Sequence, residues 1–194
     1  MTNNYSHLVI AHIPEYIEPI DRGERYEDPL AAKLNESGLG EVTGGGSQMD
    51  ENFQIVSVDL EIYLANLDTA VSLCTFVLES CGAPKGSQIT FGDEPNQTKK
   101  DFGKTEGIAL VVDGVNLPQE VYEKYGLNGL LDALKPVLDG GIGEFHGCNT
   151  LSETTELYFY GPSADRMLEA IAKVQSEFPL CQNSKTRKIV AKQT

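Results

Sequence analysis

The chain has 194 residues, 40% of them hydrophobic and 23% charged, with no tryptophan and a formal net charge of −14. Such a chain can bury a full core, and its composition fits a globular protein better than a disordered or membrane-spanning one. The negative charge argues against a nucleic-acid backbone as the principal partner, because phosphate binding needs a basic footprint. The acidity is uneven: residues 1–92 hold 14 acidic and 4 basic side chains, whereas residues 107–194 hold 11 and 8. That asymmetry suits solubility, and it also suits steering of the first half toward a basic protein partner.

The first element is the short β-branched run His7–Ile13, closed by Pro14 and read as a strand. Pro14 to Glu27, punctuated by Pro19 and Gly23, reads as a long loop. Asp28-Pro29 then supplies an N-cap and a first-turn proline for a helix that Gly38 stops. Leu39 to Val42 starts a second strand, expected to break at Gly44-Gly45-Gly46. From Gln54 to Tyr63 the chain alternates, with Val56, Val58, Leu60 and Ile62 on one face and Ser57, Asp59, Glu61 and Tyr63 on the other. A helix follows, with Leu67, Ala70, Val71, Cys74, Val77, Leu78 and Cys81 along one stripe, and Gln88 to Phe91 makes a fourth strand. Residues 93–106, with Pro95, Gly103 and seven charges, read as a polar linker.

The same order then recurs. Strand Gly107–Asp113 precedes a helix near Asn128–Leu138, in which Pro136 predicts a bend or an early end. Strands Ile142–Cys148 and Thr154–Tyr160, helix Ser163–Glu177 and strand Thr186–Ala191 complete it. Local sequence echoes the pattern. Gly38-Leu39-Gly40-Glu41 returns as Gly141-Ile142-Gly143-Glu144, Asp59 to Tyr63 returns as Glu156 to Tyr160, and Glu24-Arg25-Tyr26 returns as Glu123-Lys124-Tyr125. The chain therefore reads as an α+β protein with two βαββαβ repeats: residues 1–92, a linker at 93–106, and residues 107–194. The split βαββαβ order is the ferredoxin-like arrangement, an antiparallel sheet with both helices on one face. Each repeat then leaves one sheet face without helices, to be solvated, packed against something or filled by a ligand.

Three sets of residues could carry function. The helix-free rows Asp59, Glu61, Tyr63 and Glu156, Tyr158, Tyr160 set tyrosines beside carboxylates, a composition suited to recognition and equally to the polar side of a sheet. Arg25 and Tyr26, on the long loop, could bind a partner or clip the loop to its own unit. On a regular strand, Glu144, His146 and Cys148 would share a face as base, orienting group and thiolate nucleophile. The glycine run Gly44-Gly45-Gly46 lacks the lysine and hydroxyl of a phosphate loop and reads as a bulge or turn. Cys74, Cys81, Cys148 and Cys181 form no CxxC pair, which predicts free thiols and no metal site. Lys185, Arg187, Lys188 and Lys192 would discourage pairing of the last strand with another chain.

The junction Gly143-Glu144 through Tyr158-Phe159-Tyr160-Gly161-Pro162-Ser163-Ala164-Asp165 resembles uncharacterised bacterial ferredoxin-like domains, best over the second repeat. The resemblance implies a fold and no established reaction. In size and charge the chain also looks like immunity proteins that neutralise basic toxins. The expectation is a cytoplasmic, non-catalytic binding protein that needs no cofactor and partners a protein, not nucleic acid or a membrane. The alternatives are an enzyme using the Cys/His set of the second repeat and a small-molecule binder using a cleft between repeats.

Overall fold

The computed structural model describes residues 5–51, 53–92 and 95–190. Met1 to Asn4, Asp93 and Glu94 of the expected linker, and Ala191 and Lys192 at the expected last strand lie outside them. The chain divides into two compact units, the first running to Lys104 and the second from Thr105 to Val190.

The first unit builds β1 (His7–Ile13), α1 (Pro19–Arg22), α2 (Asp28–Ser37), β2 (Gly40–Met49), β3 (Ile55–Leu64), α3 (Leu67–Ser80), β4 (Ser87–Phe91) and β5 (Thr98–Phe102). Its antiparallel sheet has the order β2-β3-β1-β4-β5. The second builds β6 (Glu106–Asp113), α4 (Gln119–Tyr125), α5 (Leu127–Leu138), β7 (Glu144–Thr150), β8 (Thr154–Gly161), α6 (Ala164–Glu177), a short 3-10 turn at Pro179–Cys181 and β9 (Lys185–Ile189). Its sheet has the order β7-β8-β6-β9, which repeats the first four strands of the other unit. Both units are ferredoxin-like.

In each unit one face of the sheet meets the helices. Val58, Leu60, Ile62 and Leu64 join Leu30, Leu34, Ala70, Cys74 and Leu78 in one buried cluster. Leu110, Leu157 and Phe159 do the same with Leu130, Leu134, Met167 and Ile171. The long helices α3 and α6 begin alike, because the side chains of Asn66 and Ser163 accept hydrogen bonds from the backbone N–H groups of Thr69 and Arg166. Glu106 adds a second anchor, its Oε2 accepting from the Ala164 N–H at 2.9 Å.

Several expectations are corrected. The stretch expected as a polar linker carries β5, which pairs with β4 along its whole length and brings Phe102, 6% exposed, into the core. Only one of its five residues is apolar, so no alternation announces it, and Lys99 and Lys100 suit an edge strand that must not recruit another chain. The long loop is largely helical: α1 passes through a π turn at Gly23–Glu27 into α2, with every junction in right-handed helical conformation. Pro29 stands in the first turn of α2 as expected, but Asp28 does not cap it, because Glu27 and Asp28 are already in right-handed helical conformation. A π turn widens the helix just where the proline ring would otherwise meet the carbonyl four residues back. The second strand does not break at the glycines and continues to Met49. Pro136 falls in the last turn of α5, where it removes a single helical hydrogen bond and the helix runs on to Leu138.

Candidate binding surfaces

The helix-free rows are where sequence reasoning placed recognition, and the two units treat them differently. In the first, β3 pairs with β1 so that Asp59 lies opposite His12, Glu61 opposite Ile10 and Tyr63 opposite Leu8. Asp59 bonds His12 Nδ1 at 2.8 Å and accepts from Gln48 Nε2 at 3.0 Å. The His12 bond holds the Asp59 carboxyl below the ordinary carboxylate range, against the opposing effect of partial burial. Glu61 is exposed and Tyr63 half-buried. Asp59 is thus committed within a ladder of its own sheet, and Glu61 is the acid of this row that faces solvent.

In the second unit the tyrosines of the row are buried and Glu156 is half-buried. Tyr158 is 6% exposed, Tyr160 2% and His146 4%. The Tyr158 hydroxyl donates to Glu156 Oε2 at 2.8 Å, and the same oxygen takes Arg187 Nη2 at 2.6 Å. Burial, reinforced by Glu156, pushes the Tyr158 phenol above its ordinary range. Tyr158 and Tyr160 are therefore not an exposed recognition surface. An alternating strand tells which face a side chain takes, but not whether that face meets water.

Tyr26 is also withdrawn: it is fully buried, and its hydroxyl donates to Glu15, itself 1% exposed. Arg25 is half-buried and lies near Cys81, whose thiol burial raises despite the opposing Arg25 charge. Arg22 bonds Glu27 Oε1 at 2.6 Å against the flank of β2. Gly45 makes room for this pair, because a Cβ there would stand 2.8 Å from both the Glu27 carboxylate and the Asp59 carbonyl.

The set Glu144, His146 and Cys148 is broken by a bulge. Phe145 pairs with Phe159 and Gly147 with Tyr158, so His146 is the extra residue that interrupts the period of two. His146 stacks on Tyr160 with ring centroids 4.8 Å apart, on the helix-free face that Glu144 shares through its pairing with Tyr160. Cys148 pairs with Leu157 and so takes the helix-facing side. A base and a nucleophile on opposite faces cannot exchange a proton. Thr43 is the bulged residue at the matching place in β2, between the Val42–Ile62 and Gly44–Glu61 pairs.

Sequence reasoning missed a groove in the second unit. Between α5 and the edge strand β7 lies a cavity of about 320 Å³ walled by Leu131, Leu138, Phe145 and Phe159. Phe145 is 38% exposed and packs on Phe159 with centroids 5.5 Å apart. The charged groups at its margin are Asp132, Asp139, Glu144 and Lys135. Alternation turns Phe145 inward and His146 to the other face, and the bulge that follows returns Cys148 to the side of Phe145. Phe145, an apolar residue between Glu144 and His146, was the available signal.

Among the described residues, no helix is long and apolar enough to cross a membrane. No family model and no curated protein matches the chain. Among solved structures, the chain is similar to an unknown protein from Galdieria sulphuraria at 14% identity, covering 95% of this chain and 98% of that one with a TM-score of 0.32. It is similar to the first two RRM domains of a yeast poly(U) binding protein at 10% identity, over 94% and 99% of the two chains, with a TM-score of 0.27. The regulatory subunit of aspartate kinase from Thermus thermophilus matches at 12% identity over 88% and 93%, also with a TM-score of 0.27. None of these likenesses carries a function to this chain, whose ferredoxin-like fold is read from its own strand order.

Proposed function

We propose that the protein is a cytoplasmic, non-catalytic binding protein that neutralises or sequesters a basic protein partner, holding an apolar side chain of that partner in the groove between α5 and β7. The groove is the observation that supports this reading. Its size is that of a site for one or two side chains, and its walls are leucine and phenylalanine. Three carboxylates and one lysine at the margin favour an apolar anchor flanked by lysine or arginine over one flanked by acids.

The test uses a fluorescein-labelled peptide with one phenylalanine between lysine pairs, and its counterpart with glutamates in place of the lysines. Fluorescence anisotropy is expected to show salt-sensitive binding of the basic peptide only. Leu131→Glu should weaken it at least about tenfold, equivalent to about 1.4 kcal/mol. Asp139→Lys should weaken it and flatten its salt dependence. Equal binding of both peptides, or indifference to Leu131→Glu, overturns the reading.

A further inference from the structure

The two units differ at the hairpin between their second and third strands. In the second unit the last pair of β7 and β8 is Thr150–Thr155, and the turn follows at once. In the first, the matching pair is Ser47–Val58, and the hairpin continues through Gln48–Ser57 and Met49–Ile55 before it turns. The added end is unusually apolar for a protruding segment: Met49 is 57% exposed, Val56 40% and Phe53 83%.

Two features of the backbone serve this display. A second bulge, on β3 between the pairs of Ser57 and Ile55, makes Val56 the extra residue. Without it Val56 would fall on the core face with Val58 and Leu60, as simple alternation expects, so the bulge re-aims an apolar side chain toward solvent. Phe53 has φ of +59°, a left-handed conformation that bulky residues seldom take. It is held there by its N–H bond to the Asp50 carbonyl at 3.0 Å and by the Gln54 N–H bond to Asp50 Oδ1, also at 3.0 Å. Glycine or asparagine would occupy that turn without strain, and neither would project a ring.

We infer that the end of the β2–β3 hairpin is a docking finger that inserts Phe53, flanked by Met49 and Val56, into an apolar pocket on a basic protein. Charge selects that occupant. Asp50 and Glu51 stand at the tip, on the half of the chain with 14 acidic and 4 basic side chains, so a cationic rim around the receiving pocket is attracted. The same carboxylates disfavour an anionic lipid surface. They also disfavour the groove of a second copy of this chain, whose margin carries Asp132, Asp139 and Glu144. The finger lies in the first unit and that groove in the second, and neither needs the other to act.

A benzophenone-bearing phenylalanine analogue placed at position 53, irradiated in the native host, tests the inference, with the same analogue at Phe76 as the exposed control on α3. Position 53 is expected to give one discrete adduct with a protein that mass spectrometry identifies as basic. Position 76 should not give it, and Glu51→Lys should diminish it. Excess unlabelled wild-type protein should suppress the adduct, whereas excess Phe53→Gly protein should not. Phe53→Gly should also melt at the same temperature or a few degrees higher, because it relieves the left-handed strain and exposes no core, so lost competition cannot be ascribed to unfolding. Overturning results are no adduct at position 53, the same adduct from both positions, a lipid adduct, a dimer of this chain, or full competition by Phe53→Gly. Variants at Leu131 leave the finger intact, so adduct formation that survives Leu131→Glu separates this inference from the groove reading.

Discussion

The two units share one frame and use it for opposite ends. In both, a bulge sits at the same place in the second strand, at Thr43 and at His146, and a long capped helix follows the third strand. Yet the position after the bulged pair is Gly45 in one unit and Cys148 in the other. The first unit brings Arg22 and Glu27 against that glycine, while the second leaves Cys148 exposed. The fourth-ladder position differs too: Leu64 fills the core of the first unit, while Gly161 lets the Ile142 carbonyl approach the strand in the second. A duplicated fold fixes where a position lies and leaves open what approaches it.

Exchanging the residues at matched positions is the sharpest way to break that comparison. Gly161→Leu should destabilise most, by about 3 kcal/mol or more, because even a Cβ would stand 2.3 Å from the Ile142 carbonyl oxygen. Chemical denaturation followed by circular dichroism would reveal it, and a wild-type midpoint would refute the steric role of Gly161. Gly45→Cys is expected to cost about 1–3 kcal/mol by pushing Arg22 and Glu27 off β2. The reciprocal Cys148→Gly should cost only about 0.5–1 kcal/mol, the effect of glycine within a strand. Equal losses from the two exchanges would contradict the asymmetry.

The polar ladder of the first unit makes a pH-dependent prediction. A carboxyl with a pKa lowered in the folded state adds stability above its unfolded pKa and loses that contribution as pH falls through the folded value. Asp59→Asn should therefore cost about 1 kcal/mol at pH 7, a modest figure because the pair is partly exposed, and nothing once the wild-type carboxyl is protonated well below pH 3.8. Denaturation midpoints that differ by the same amount at both pH values would refute the role of the His12 bond. The smallest effect is kinetic. Burial raises Cys74 to about 12 and Cys181 to about 11, so iodoacetamide at pH 8 should label exposed Cys148 first, as read by peptide mass spectrometry. Labelling of Cys74 ahead of Cys148 would contradict the assigned faces of α3 and β7.

The twofold βαββαβ order was legible because it is written in periodicities: the alternation of Val58, Leu60 and Ile62 and the stripe of α3 are local, and burial needs them wherever the chain folds. Tertiary pairing alone decided the rest. Bulges at Thr43, Val56 and His146 follow from the register each hairpin adopts, which no local pattern announces, and one extra residue sends Cys148 to the face opposite His146. Thr98–Phe102 becomes a strand because the edge of β4 offers backbone partners to a segment with almost no apolar pattern of its own. The groove beside β7 exists only where a helix and an edge strand diverge, a property of no single segment of sequence.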